Sequence, residues 1–227
     1  MRKKELIICS YGLKPGHITV ETLRELSRCG AVFSDALSEA GFLKGKFRFL
    51  FGGKDEAGIT LAAKEVMAAF KKFDVVGYVT YGHPAFLCAM TDRLTGLCLA
   101  AKINFRILEG ISSLGASLSA AGVKSIPCGG ISLLSAATLE HERFPLNPKG
   151  HTFIFDLSCF LREETGKFLK NFADAVRAAY PAAHRAEIIV CESADCAASV
   201  RTVKIRGLEK LISSSGGRGT LHIPPVK

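Results

Sequence analysis

Hydrophobic and polar positions alternate between two spacings along the first half of the chain, and each spacing predicts a different element. "KELIICS", "AVFSD", "VVGYVTY" and "FRILE" are short, nearly continuous apolar runs, the pattern of strands covered on both faces. Between them the spacing lengthens. "ITVETLRELSRCG" places Val20, Leu23 and Leu26 on one side of a helix that stops at Gly30. Ile59, Ala63, Val66, Met67 and Phe70 form a second helical stripe, read as core. "PAFLCAMTDRLTGLCLAAK" and "SSLGASLSAAG" predict two more helices. Strands and helices in this alternation predict a parallel α/β sheet.

The second half changes character. "IPCGGISLL" and "HTFIFDLS" read as strands and "REETGKFLKNFADAVRAAY" as an amphipathic helix. "AEIIVCES", "VRTVKIRGL" and "TLHIPP" follow as further strands around the loop "SSSGGRG". This predicts a mixed-sheet α/β domain over 111–227 after an N-terminal α/β domain over 1–110.

Composition narrows the classes. The chain has 227 residues, 48% of them hydrophobic, enough for two real cores. No apolar stretch approaches the ~20 residues of a membrane span, and the apolar segment after "MRKK" is too short for a signal peptide, so a cytoplasmic protein is expected. Eight cysteines lie singly, without a CxxC, in segments such as "LIICS", which predicts buried free thiols. Six histidines form neither HExxH nor a metal-ligand cluster, and no metal is expected. A net charge of +9 leaves nucleic acid possible as a partner. It is not favoured, because the basic residues are scattered beyond the opening "RKK" and the Lys71–Lys72 pair.

Ligands of an open parallel sheet sit beyond the carboxyl ends of its strands. Three loops take that place: Tyr11 to Gly16, Gly82 to Phe86, and Gly110 to Ser113. Glycine lets backbone approach a ligand closely, while Ser112 and Ser113 can bind through hydroxyls or cap the next helix. Neither GxGxxG after the first strand nor GxxxxGK[ST] is present, which removes the dinucleotide fingerprint and the nucleoside triphosphate loop.

"ELIICSYGLKPGHITVETLRELSRCGAVFSD", "VTYGHPAFL", "LEGISSLGASLSAAGV" and "TLHIPP", in this order and spacing, resemble the tetrapyrrole methylase superfamily, the class III S-adenosylmethionine-dependent methyltransferases. The resemblance spans nearly the whole chain. It implies two α/β domains holding S-adenosylmethionine between them, in a homodimer. The family's strand-end GDP is here Gly82-His83-Pro84, and that form, with "TLHIPP", is similar to the borosin subgroup, which methylates backbone amides of a ribosomal peptide. Since the chain stops at Lys227, the resemblance implies a precursor peptide supplied in trans.

Carried over by position, the resemblance assigns Tyr11, Gly12 and Leu13 to the first cofactor loop and His83, Pro84, Ala85 and Phe86, after Gly82, to the second. It assigns Ser112 and Ser113 to the methionine end and Leu157, Ala194 and Thr220 to the adenine pocket. Tyr81, with Tyr11 as the second candidate, is expected to move the acceptor's proton or stabilise its oxygen. The chain departs from borosins between Gly52 and Met67, where their arginine and tyrosines are missing. A tetrapyrrole methylase, a ribosomal-RNA methylase and a cofactor-binding module without activity stay open as alternatives.

Overall fold

The computed structural model describes residues 3–36, 45–50, 55–139, 144–161, 166–193 and 196–226. The chain divides into two units, Met1–Ser113 and Leu114–Lys227.

The first unit is built on five strands: β1 (Glu5–Ser10), β2 (Ala31–Ser34), β3 (Phe47–Phe49), β4 (Val75–Thr80) and β5 (Asn104–Ile107). Their order is β3-β2-β4-β1-β5, and every pairing is parallel. Helices α1 (Val20–Arg28), α2 (Glu56–Ala68) and α3 (Ala89–Ala101) join them. Both faces of the central strands are covered, as the apolar runs require. Leu6 and Ile8 of β1 join Val66, Phe70 and Leu94 in one cluster, while Ile7 and Cys9 join Leu26 and Val79 in another. Burying each such side chain stabilises by about 1.5–3 kcal/mol relative to exposure.

The strand order reverses direction at β1. After β1 the chain moves out to β2 and β3, and after β4 it crosses to β5 on the other side. Such a reversal brings the carboxyl ends of β4, β1 and β5 side by side.

Three local expectations change. In α1 the buried positions are Thr22 and Leu26, while Val20 and Leu23 are exposed. Thr19 caps the helix by accepting the Thr22 N–H at 3.0 Å and donates its own hydroxyl to Thr22 Oγ1, so threonine is buried with its polar atoms engaged. The helix expected from Pro84 begins only at Ala89, because Leu87 sits at φ +52°, which no α-helix can contain. The segment read as the strand "VRTVKIRGL" ends at Lys204 and turns into a short helix, Leu208–Ser214.

The second unit opens with α4 (Ser113–Ala120), most of which belongs to it, and continues with β6 (Ile131–Ser135), α5 (Ala136–Leu139), β7 (His151–Phe155) and α6 (Gly166–Ala179). β8 (Arg185–Val190), β9 (Ser199–Lys204), α7 (Leu208–Ser214) and β10 (Thr220–Ile223) complete it. The sheet order is β6-β7-β10-β8-β9, parallel between β6 and β7 and antiparallel elsewhere. One face packs on α6 through Phe172, Val176, Ile154, Ile188 and Leu221. Phe160 stacks there against Phe168 and Phe172, with ring centres 4.8 and 4.7 Å apart. The α/β fold class with a parallel and a mixed sheet is the one the pattern predicts.

All eight cysteines are free thiols, as expected, although only Cys9, Cys29, Cys98 and Cys159 are buried. Cys128 is exposed because "PCGG" is a turn, closed by Gly130 N–H donating to the Pro127 carbonyl at 2.8 Å. Burial pushes the Cys29 thiol up to about 12 and Cys98 to about 11, which keeps both protonated and unreactive. Among the described residues, no helix is long and apolar enough to cross a membrane.

Candidate functional site

The three strand-end loops of the first unit are joined into one surface. Pairing between β1 and β4 runs on past the strands, with Tyr11 N–H donating to the Thr80 carbonyl at 3.2 Å and Gly82 N–H to the Gly12 carbonyl at 3.0 Å. Gly12 and Gly82 have φ of +74° and +69°, a region that glycine enters without a Cβ penalty. Between them the Ser10 hydroxyl accepts the Gly12 N–H at 3.1 Å. The third loop closes on the first two. A Cβ on Gly110 would collide with Ser10 Oγ and lie 3.4 Å from the Gly82 carbonyl oxygen. A Cβ on Gly82 would instead meet nothing within 4 Å, so the space beside that turn is open.

Tyr81 and Tyr11 lie together here, their ring centres 6.2 Å apart and edge-on. Tyr81 is 38% exposed, whereas Tyr11 is buried and its hydroxyl donates to the Ala36 carbonyl at 3.3 Å. Leu13, Gly82 and Pro84 are buried, His83 and Phe86 half-buried, and Ala85 exposed. Ser112 and Ser113 are half-buried where α4 begins. One strand-length deeper, Tyr78 donates to Asp35 Oδ1 at 2.8 Å. Burial, reinforced by the Asp35 carboxylate, holds its phenol far above the usual range, so this tyrosine is a structural donor.

Two polar residues of these loops were not singled out by the motif. Glu109, directly before Gly110, accepts a hydrogen bond from His83 Nε2 at 2.8 Å. His83 Nδ1 in turn accepts the Ala85 N–H at 3.1 Å, which assigns the ring proton to Nε2. His17 is the other. Its Nδ1 is buried without a hydrogen-bond partner among the described residues. For Glu109 the available signal was a carboxylate beside a glycine just after a strand, and for His17 an imidazole after the Pro15-Gly16 turn.

In the second unit Leu157 is fully buried in the core, and Thr220 is buried with its hydroxyl accepting from Ser117 Oγ at 3.5 Å. Ala194 lies outside the described residues, as does the start of the segment from Gly52 to Met67. The sheet face turned away from α6 carries a buried polar chain. His222 Nδ1 bonds Glu187 Oε2 at 2.9 Å and its Nε2 bonds His151 Nδ1 at 2.9 Å, while Arg185 lies 3.3 Å from Glu187 Oε1. The His222 ring stacks on Phe153 at 4.5 Å. Burial lowers the pKa of His222, with His151 and Arg185 acting the same way and Glu187 opposing; burial also lowers His151. A separate hollow of about 380 Å³ is lined by Glu56, Ala89, Asp92, Arg93, Gly96 and Leu97 and shares no residue with the strand-end loops.

No protein-family model matches the sequence, and no curated protein matches it either. Solved structures do resemble the fold over nearly its full length. The methyltransferase CobJ matches with a TM-score of 0.72 at 14% identity, over 99% of this chain and 95% of its own. The cobalt precorrin-4 methyltransferase CbiF matches at 0.67 and 18%, over 97% and 94%. A uroporphyrin-III C-methyltransferase from Thermus thermophilus, complexed with S-adenosylhomocysteine, matches at 0.66 and 12%, over 97% of each chain. At these identities the likeness establishes a shared fold.

Proposed function

We propose that the chain is a methyltransferase that takes its methyl group from S-adenosylmethionine. The observation that carries this reading is the convergence of the Gly12, Gly82 and Gly110 loops at the carboxyl ends of adjacent parallel strands. The fold of methyltransferases, one of them complexed with S-adenosylhomocysteine, supports it. The residues suit such a ligand. Gly82 leaves room for close backbone approach, and His17 Nδ1 is a buried acceptor or donor still without a partner among the described residues.

The cofactor supplies the methyl group on a sulfonium, ready for in-line displacement. What remains for the chain is to hold an acceptor in line, an effect worth up to about 7–11 kcal/mol, and to move its proton. The acceptor we favour is a backbone amide of a separate precursor peptide, handled by a homodimer. Its support is Tyr81-Gly82-His83-Pro84 in place of Gly-Asp-Pro, with the Tyr81 ring exposed at the strand end. An amide nitrogen is a poor nucleophile, so a hydroxyl there would take its proton or stabilise charge on its oxygen. Methylation of a tetrapyrrole carbon is the second reading, favoured by neighbours named for uroporphyrin-III and cobalt precorrin-4.

The experiment is incubation with S-adenosylmethionine and either a peptide encoded beside this gene or a tetrapyrrole. Fragment-ion mass spectrometry should place new methyls on main-chain nitrogens. Methyls on tetrapyrrole carbon would select the second reading. Tyr81→Phe keeps the ring and removes the hydroxyl, and should slow turnover by ~10² or more with cofactor affinity nearly unchanged. Wild-type turnover in that variant would move the proton-handling role to Tyr11.

A further inference from the structure

Glu109 carries a negative charge into these loops, whose other charged residue is the half-buried Lys14. Its carboxylate is 90% exposed, and its position is nevertheless fixed from two sides. His83 Nε2 donates to it at 2.8 Å, and the next residue, Gly110, is packed against Ser10 and the Gly82 carbonyl. The charge state of the pair follows from its hydrogen bonds. Because His83 Nδ1 accepts the Ala85 N–H, the ring is neutral while both bonds hold. The pair therefore keeps a net charge of about −1, where two opposite ions would cancel. A chain of net charge +9 thus holds a fixed negative charge at the rim of its open glycine turn.

We propose that Glu109 is a charge-selecting residue that favours the cationic methyl donor over its neutral product. The inference rests on reading these loops as the S-adenosylmethionine site. Methyl transfer breaks the bond between sulfur and the methyl carbon and forms one from that carbon to the acceptor. The electron pair of the broken bond stays on sulfur, so the sulfonium cation becomes a neutral thioether. The ammonium and carboxylate of the methionine portion are unchanged. A carboxylate beside the site attracts the extra positive charge that the ligand carries only before transfer, which favours the donor over the product. An exposed charge pair of this kind is worth a factor of about two to five in affinity, reduced as salt screens it.

Glu109→Gln is the discriminating variant, since it keeps the side-chain length and an oxygen to accept from His83 Nε2. Titration calorimetry on the full chain with S-adenosylmethionine and S-adenosylhomocysteine, at about 20 and about 500 mM salt, reads the effect directly. The variant should lose about two- to fivefold in donor affinity and nothing in product affinity, and only the wild-type preference should shrink with salt. An unchanged donor-to-product ratio, or equal losses for both ligands, overturns the role of Glu109 while leaving the cofactor site standing. A wild-type chain that binds neither ligand removes the cofactor reading and this inference together.

Discussion

The two sheets handle polar groups in opposite ways. In the parallel sheet of the first unit the buried strand positions are mainly apolar, its charged strand pair Glu5–Arg106 is only half-buried, and the candidate site's polar groups lie in the loops beyond Ser10, Thr80 and Ile107. Its interior titratable groups, Cys9, Cys29 and Tyr78, are held protonated and neutral by burial. The mixed sheet instead carries Glu187, His222 and His151 on the strands themselves, and Glu187 and His222 are buried. The reason is topological. Parallel strands bring several loop ends to one edge, whereas antiparallel neighbours place side chains of β8, β10 and β7 directly opposite one another, as in the register Glu187–His222–Phe153.

The largest effect should come from breaking the buried chain. His222→Leu takes the hydrogen-bond donor from the buried Glu187 carboxylate, which keeps Arg185 on its other oxygen, and should cost about 1.5–3 kcal/mol in urea unfolding. Tyr78→Phe, its counterpart in the first unit, removes one hydroxyl from an exposed aspartate and should cost far less. Gly82→Val tests the loop side of the contrast. A β-branched residue at φ +69° is strained, and its side chain enters the open space beside the turn, so S-adenosylhomocysteine affinity should fall at least ~100-fold in a chain with unchanged circular dichroism. Undiminished affinity would take the ligand away from this loop.

The smallest effect is on pH. The pKa values of His222 and His151 are lowered on folding, so below about pH 7 the unfolded chain binds more protons than the folded one. Stability from these groups is full above the ordinary histidine range and is lost as pH falls through it toward the depressed folded values. Between about pH 7.5 and 5.5 the loss should reach at most ~1.4 kcal/mol per histidine. In His222→Leu the slope should flatten, and a slope unchanged from wild type would mean that other groups produce it.

The strands were legible because a run such as "LIIC" has to be covered on both faces, and the glycine turns were legible because Gly12 and Gly82 mark where backbone bends at a strand end. What stayed hidden depends on partners far apart in the chain. His83 and Glu109 are separated by 26 positions and His222 and Glu187 by 35, and no local period connects them. The burial of Thr22 in place of Val20 was hidden for a different reason, since a cap bond made that hydroxyl as easy to bury as a methyl group.

The contact between Gly110 and the Ser10 hydroxyl has a consequence for descent. Any larger residue at position 110 collides with Ser10, and removing that hydroxyl withdraws the acceptor used by Gly12 N–H. Positions 10, 12 and 110 therefore form one heritable unit. Gly110→Ala should be harmful alone and partly rescued by Ser10→Gly, so a selection for second-site suppressors should return to position 10, and diverging lineages should exchange these residues together or not at all.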